Sequence, residues 1–248
     1  YYYLDYKLMA RFASLLGKDA APYQEKANTL KSLINQKFFN AETGVYAEGT
    51  QTAQALALYL GLVPEGKEQL VADKLREVVA GNNYFLDFGL LGSKTVPAML
   101  TKYGYIEDAM KMITKTEAPS WGYWVETMGY STLPETWTLS PKFADASLNH
   151  VFMGDVSAWM MNQLAGINHD DSAPGFRHIR ITPHFVKELD WAKGEYHSVR
   201  GRIASEWKRE GDQVMLTVTI PADCSADIVV GDQTETVSAG THTFSYPV

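Results

Sequence analysis

Residues 213–221 read QVMLTVTIP and alternate without a break, with Val214, Leu216, Val218 and Ile220 on one side and Met215, Thr217 and Thr219 on the other. A period of two sends successive side chains to opposite faces of a strand, so this stretch predicts a half-buried β-strand. Outward from it, HIRIT (178–182), DIVVG (227–231) with its Gly231-Asp232 turn signal, and THTFSY (241–246) carry the same β character. Upstream the period lengthens. Leu4, Leu8, Phe12 and Leu15, then Tyr23, Ala27, Leu30, Ile34 and Phe38, recur at helical spacing. Helical patterns continue through 50–60 (closed by Gly61), 65–81, 93–104, 105–115 and 151–167, where Val156, Trp159, Met160 and Leu164 share a face. These make about seven helices in pairs joined by short loops, as in helical barrels and solenoids. The switch falls near NHDDSAPG (168–175), a Pro/Gly/Asp-rich connector, and predicts an all-α unit over 1–168 and an all-β unit over 169–248.

With 22 Lys and Arg against 29 Asp and Glu, a formal charge of -7 and no basic cluster, the chain has no surface for a phosphate backbone, and nucleic acid is not an expected partner. The apolar runs are broken by Gly, Pro or charge before reaching the ~20 residues a spanning helix needs, so a soluble chain is expected. A single cysteine, Cys224, excludes an internal disulfide and a cysteine-built metal site. No HExxH spacing joins the histidines, and no metal or cofactor is expected. Gly89 and Gly92 in DFGLLGSK lack the rest of a phosphate loop, and no G-x-S-x-G elbow occurs. The opening YYYLDYKLMARF carries no leader and falls directly into a helical pattern, as expected of a piece of a longer chain.

The chemistry concentrates in 119–150. Pro119, Gly122, Gly129, Pro134 and Pro141 break this segment too often for a long helix, and loops on a rigid scaffold are where chemistry is usually placed. It holds Trp121, Tyr123, Trp124, Tyr130 and Trp137 around one acid, Glu135, in STLPETW. Flat aromatic faces beside a carboxylate suit a sugar ring. Core aromatics with Glu135 capping a turn, and His150 as a satisfied core residue, are the structural alternatives.

These residues give the chain its resemblance to the C-terminal part of bacterial α-L-rhamnosidases of glycoside hydrolase family 78. The likeness lies in an ordered series: GTQTAQALALYLGLVPEG, FGLLGS, PSWGYWVE, an acid followed two residues later by Trp, SLNH, LAGI, PGFRHIRITP and the strand pair GRIASEWKREGD. It implies an incomplete (α/α)6 barrel followed by an antiparallel β-sandwich, and hydrolysis of terminal α-L-rhamnose with inversion. Inversion needs two carboxyl groups about 6.5–9.5 Å apart, one protonating the leaving oxygen and one activating water. Glu135 falls where the family carries the general base. His150 resembles the family histidine that hydrogen-bonds a rhamnose hydroxyl, and Trp121 and Trp137 correspond to walls of the sugar subsite. The family's W-E-x-W reads Pro134-Glu135-Thr136-Trp137 here, a departure that bears on the sugar fit. Glu126 is the nearest competitor for the base. The family's general acid lies in a D-E-R-like motif that this chain lacks and is expected upstream of Tyr1. Another inverting (α/α)6 glycosidase, or a glycan-binding fragment without turnover, are the competing readings.

Overall fold

The computed structural model describes residues 1–137 and 146–247, and its chain forms two compact units, Tyr1–Phe152 and Met153–Val248. In the first, α1 (Tyr2–Leu15) packs on α2 (Ala21–Phe38), and α3 (Gln51–Leu60) packs on α4 (Glu68–Gly81) and α5 (Leu90–Lys102). α6 (Ile106–Thr114) lies against α5. The ends of α3 follow from its sequence: Thr50 caps it by accepting from the Ala53 N–H at 3.2 Å, and Gly61 closes it in the left-handed region at φ 71°. Leu75, Val96, Leu100, Met112 and Trp124 are buried between these elements.

Between α2 and α3 runs a two-stranded hairpin, β1 (Phe39–Asn40) and β2 (Val45–Tyr46), which no sequence period announces because each strand has two residues. Buried Gln54 of α3 holds it, accepting from the Tyr46 N–H at 2.6 Å and donating to the Gly44 carbonyl at 2.9 Å. The α1 stripe also departs from expectation. Phe12 and Leu15 are 50% and 73% exposed, and the side chains α1 buries are Tyr3, Ala10 and Ala13.

The second unit opens with α7 (Asp155–Trp159), which widens into a π-helical turn, Met160–Leu164, and then builds a six-stranded sheet. The wider turn takes Met160 off the face shared by buried Val156, Trp159 and Leu164 and leaves it exposed. The strands are β3 (Ile167–His169), β4 (His178–Ile181), β5 (Trp191–Ser198), β6 (Gly201–Glu210), β7 (Gln213–Val230) and β8 (Gln233–Pro247), in the order β3-β4-β7-β6-β5 with β8 on β7. All pairings are antiparallel except β4 with β7. The alternation at 213–221 holds: Val214, Leu216, Val218 and Ile220 are at most 3% exposed and pack with Trp207, Ile179 and Ile228. Expected as two strands, QVMLTVTIP and DIVVG form one, joined through a bulge between Ile220 and Ser225 that contains Pro221 and Asp223 at φ 58°.

Two polar clasps tie this sheet. His178 of β4 meets Ser225 through Nδ1 at 2.7 Å and Asp227 through Nε2 at 3.0 Å, and Thr236 of β8 donates to the same aspartate at 2.7 Å. Arg209 donates to the carbonyls of Phe185, Val186 and Leu189, a fork that holds one loop against β6. No helix among the described residues is long and apolar enough to cross a membrane.

Candidate active site

Glu135 lies in a loop where two parts of the chain close on each other. Its backbone N–H donates to the Ser147 carbonyl at 2.8 Å, and its Oε2 accepts from the Ser147 N–H at 3.1 Å. Nearby, the His150 N–H donates to the Leu133 carbonyl at 2.8 Å, so 133–135 and 147–150 run side by side. A cavity of about 320 Å³ opens there, lined by Gly129, Tyr130, Ser131, Thr132, Pro134 and Leu148. That is the low end of the size range of small-molecule sites. Residues 138–145, Pro141 among them, lie outside the described residues.

An aromatic stack supports this loop. Trp137 lies flat on buried Trp124, centroids 4.3 Å apart, and meets Trp121 edge-on at 5.5 Å. Its Nε1 donates to the Phe88 carbonyl, anchoring the ring to the residue before Gly89 at the head of α5. Phe88 in turn packs on Trp121 and Trp137. The sequence-predicted aromatics thus divide: Trp137 is half-buried, while Trp121 is 3% exposed and serves as its backing. Gly122 makes this turn possible, because a Cβ there would stand 2.4 Å from the Lys115 carbonyl oxygen. Glu126 is exposed on the π-helical turn Tyr123–Thr127.

His150 is half-buried, its ring 5.4 Å from that of Phe152. The Phe152 N–H donates to Nδ1 at 3.4 Å, which makes Nδ1 the acceptor nitrogen and Nε2 the donor. Ser93 in α5 donates to the carbonyl of Phe152 at 2.8 Å, so the head of α5 holds both ends of this region, Trp137 through Phe88 and Phe152 through Ser93.

Two further residues, Gln51 and Asp87, carry no catalytic motif in the sequence. Gln51, fully buried at the first turn of α3, donates to the Phe85 carbonyl at 2.9 Å and accepts from the Asp87 N–H at 3.4 Å. Burial raises the Asp87 carboxyl above its ordinary value, and a hydrogen bond from the Gln51 backbone opposes the shift. The available signal was the alternation of Leu86, Asp87 and Phe88, with the acid exposed between two buried side chains.

Comparison with known proteins agrees with this architecture. Residues 1–164 match the bacterial alpha-L-rhamnosidase 6 hairpin glycosidase domain, and residues 166–245 match the bacterial alpha-L-rhamnosidase C-terminal domain. An alpha-L-rhamnosidase of Streptomyces avermitilis is 30% identical over 227 residues, covering 89% of this chain and 22% of that protein. The crystal structure of the Streptomyces avermitilis enzyme complexed with L-rhamnose superposes with a TM-score of 0.90 at 26% identity, over 98% of this chain and 26% of that one. Native α-L-rhamnosidase from Aspergillus terreus gives the same TM-score and identity, over 97% and 29%. The chain therefore spans about a quarter of the length of these relatives. With both matches in the chain order that its helical and strand-rich parts follow, the chain belongs to the bacterial α-L-rhamnosidase family.

Proposed function

We propose that the full-length protein hydrolyses terminal α-L-rhamnosides with inversion, and that Glu135 is its general base. The observation that carries this reading is the fixed carboxylate: Ser147 orients it from one side while the Trp137 anchor holds the loop two residues on. In the proposed step Glu135 takes a proton from water as the oxygen attacks the anomeric carbon. The glycosidic bond breaks, and the leaving oxygen takes its proton from a second carboxyl, supplied upstream of Tyr1. His150 donates from Nε2 to a sugar hydroxyl. Trp137 walls the subsite with Trp121 behind it.

On the same reading, residues 1–168 are the last hairpins of an (α/α)6 barrel and 169–248 a β-sandwich. The uncovered stripe of α1, with Met9, Phe12 and Leu15 and with Leu16 just past its end, supports this, since a barrel covers each hairpin with its neighbours. The test is the anomer first released from an aryl α-L-rhamnoside, read by proton NMR in the full-length enzyme. β-L-rhamnose supports inversion and α-L-rhamnose overturns it. Residues 1–248 alone are expected to be inactive, and turnover comparable to that of the full-length enzyme would place both carboxyls within them.

A further inference from the structure

We propose that Asp87 is a sugar-binding residue of this site, its carboxylate accepting a hydrogen bond from a hydroxyl of the bound L-rhamnose ring; the inference rests on the rhamnosidase reading above.

Placement is the first support for this role. Asp87 adjoins Phe88, whose carbonyl receives the Trp137 indole N–H and whose ring packs on both Trp121 and Trp137. The residue is thus one peptide away from the anchor of the loop that presents Glu135. Its own position is fixed from below: Gln51 takes the Asp87 N–H on its Oε1 and holds the Phe85 carbonyl with its Nε2. Where α5 begins the packing is close, since a Cβ on Gly92 would lie 2.2 Å from the Phe88 Cβ and 2.8 Å from the Thr52 side-chain oxygen of α3. Leu86 and Phe88 turn inward at 2% and 3% exposure, and Asp87 between them is exposed.

The carboxyl's partners also favour a ligand role. No cation lies within ion-pair distance of it among the described residues. The residue is exposed but its carboxyl is partly desolvated, which raises its pKa, and no counter-charge opposes the shift. The Gln51 backbone hydrogen bond orients the group at the head of α3, where the helix dipole favours an anion. Capping alone is a weaker account of an acid there, because Thr50 already caps α3. A rigid carboxylate without a cation partner has free acceptor positions for hydroxyl donors, the chemistry by which an aspartate holds a sugar.

The experiment uses the full-length enzyme and its Asp87→Asn and Asp87→Ala variants. It measures kcat and KM on an aryl α-L-rhamnoside, inhibition by L-rhamnose and its 2-, 3- and 4-deoxy analogues, and thermal melting. Asp87→Ala is expected to raise KM and the inhibition constant of L-rhamnose by ~10–100-fold, the scale of a lost hydrogen bond to a charged group. Asp87→Asn, which keeps an acceptor oxygen, should recover part of the loss. The decisive readout is coupling: one deoxy sugar should bind the wild type more weakly than L-rhamnose does and bind Asp87→Ala equally well. Wild-type inhibition constants in both variants, or a lowered melting temperature without deoxy-sugar coupling, would leave Asp87 as a helix cap and overturn the proposal. A wild-type enzyme that cleaves no rhamnoside overturns the functional reading itself, whereas an active wild type with uncoupled variants overturns only the role of Asp87.

Discussion

Glu135 and Ser147 exchange hydrogen bonds in both directions, backbone to backbone at 2.8 Å and Ser147 N–H to carboxylate at 3.1 Å. One carboxylate oxygen is thereby committed to the protein and fixes the plane of the group. On the proposed assignment, the other is the oxygen that takes a proton from water.

Glu135→Gln is the sharpest test of that assignment. The amide oxygen can still accept from Ser147, so the loop should keep its shape while the base is lost. The expected result is an unchanged melting temperature and a kcat lowered about 10²–10⁴-fold. Near-normal turnover would transfer the role to another carboxyl, with Glu126 the first to examine.

The Trp137 anchor can be separated from the Trp137 ring. Trp137→Phe keeps a face for Trp124 but removes the N–H that Phe88 accepts. About 1 kcal/mol of stability should go with that hydrogen bond, and KM should rise because the loop bearing Glu135 loses its tether. Trp124→Ala, at a side chain only 1% exposed, should cost about 3–5 kcal/mol in denaturant unfolding.

On the proposed reading the His150 ring acts on the sugar, so His150→Ala should raise KM and lower kcat together with little change in melting temperature. A variant that melts early yet binds L-rhamnose normally would return His150 to a packing role.

Acid should weaken residues 153–248 in two stages. Burial lowers the pKa of His184, with the Gln163 carbonyl opposing it, so the unfolded chain takes up a proton near pH 6.5 that the folded chain refuses. Stability present above that value should decline as the pH falls below it. Asp227 is held below the ordinary aspartate range, first by Thr236 and then by His178, and its contribution should vanish only as the pH falls below about 4. Melting curves from pH 8 to 3 should show both declines, and His184→Gln should flatten the first.

What the sequence made legible was whatever repeats locally. The alternation from Val214 to Ile220 placed four side chains in the sheet's core, and Gly231-Asp232 marked its hairpin turn correctly. Helical spacing located α3 to α6 in the same way. The α1 spacing was also right as helix, but it could not say which face the helix buries. Long-range hydrogen bonds leave no periodic trace. Asp87 joins Gln51 across 36 residues and Trp137 reaches Phe88 across 49, so the order of the motifs pointed to the loop but not to the helix heads that hold it. The fusion of QVMLTVTIP with DIVVG was hidden because Pro221 and Asp223 look like a strand end when they are a bulge.

The long strand β7 also sets an order of assembly. From β5 to β8 each strand pairs with the next through a two-residue turn, at Ser198↔Gly201, Glu210↔Gln213 and Val230↔Gln233, so these contacts close small loops and form early. The pairing of β4 with the same strand joins His178 to Ser225 across 47 residues, and its larger loop closure is expected to follow the hairpins. Gly231→Ala, which strains a turn at φ 57°, should therefore slow refolding. Ile179→Val in β4 should leave the folding limb of the chevron in place and raise the unfolding limb, so that the strand added last sets how quickly the native sheet comes apart.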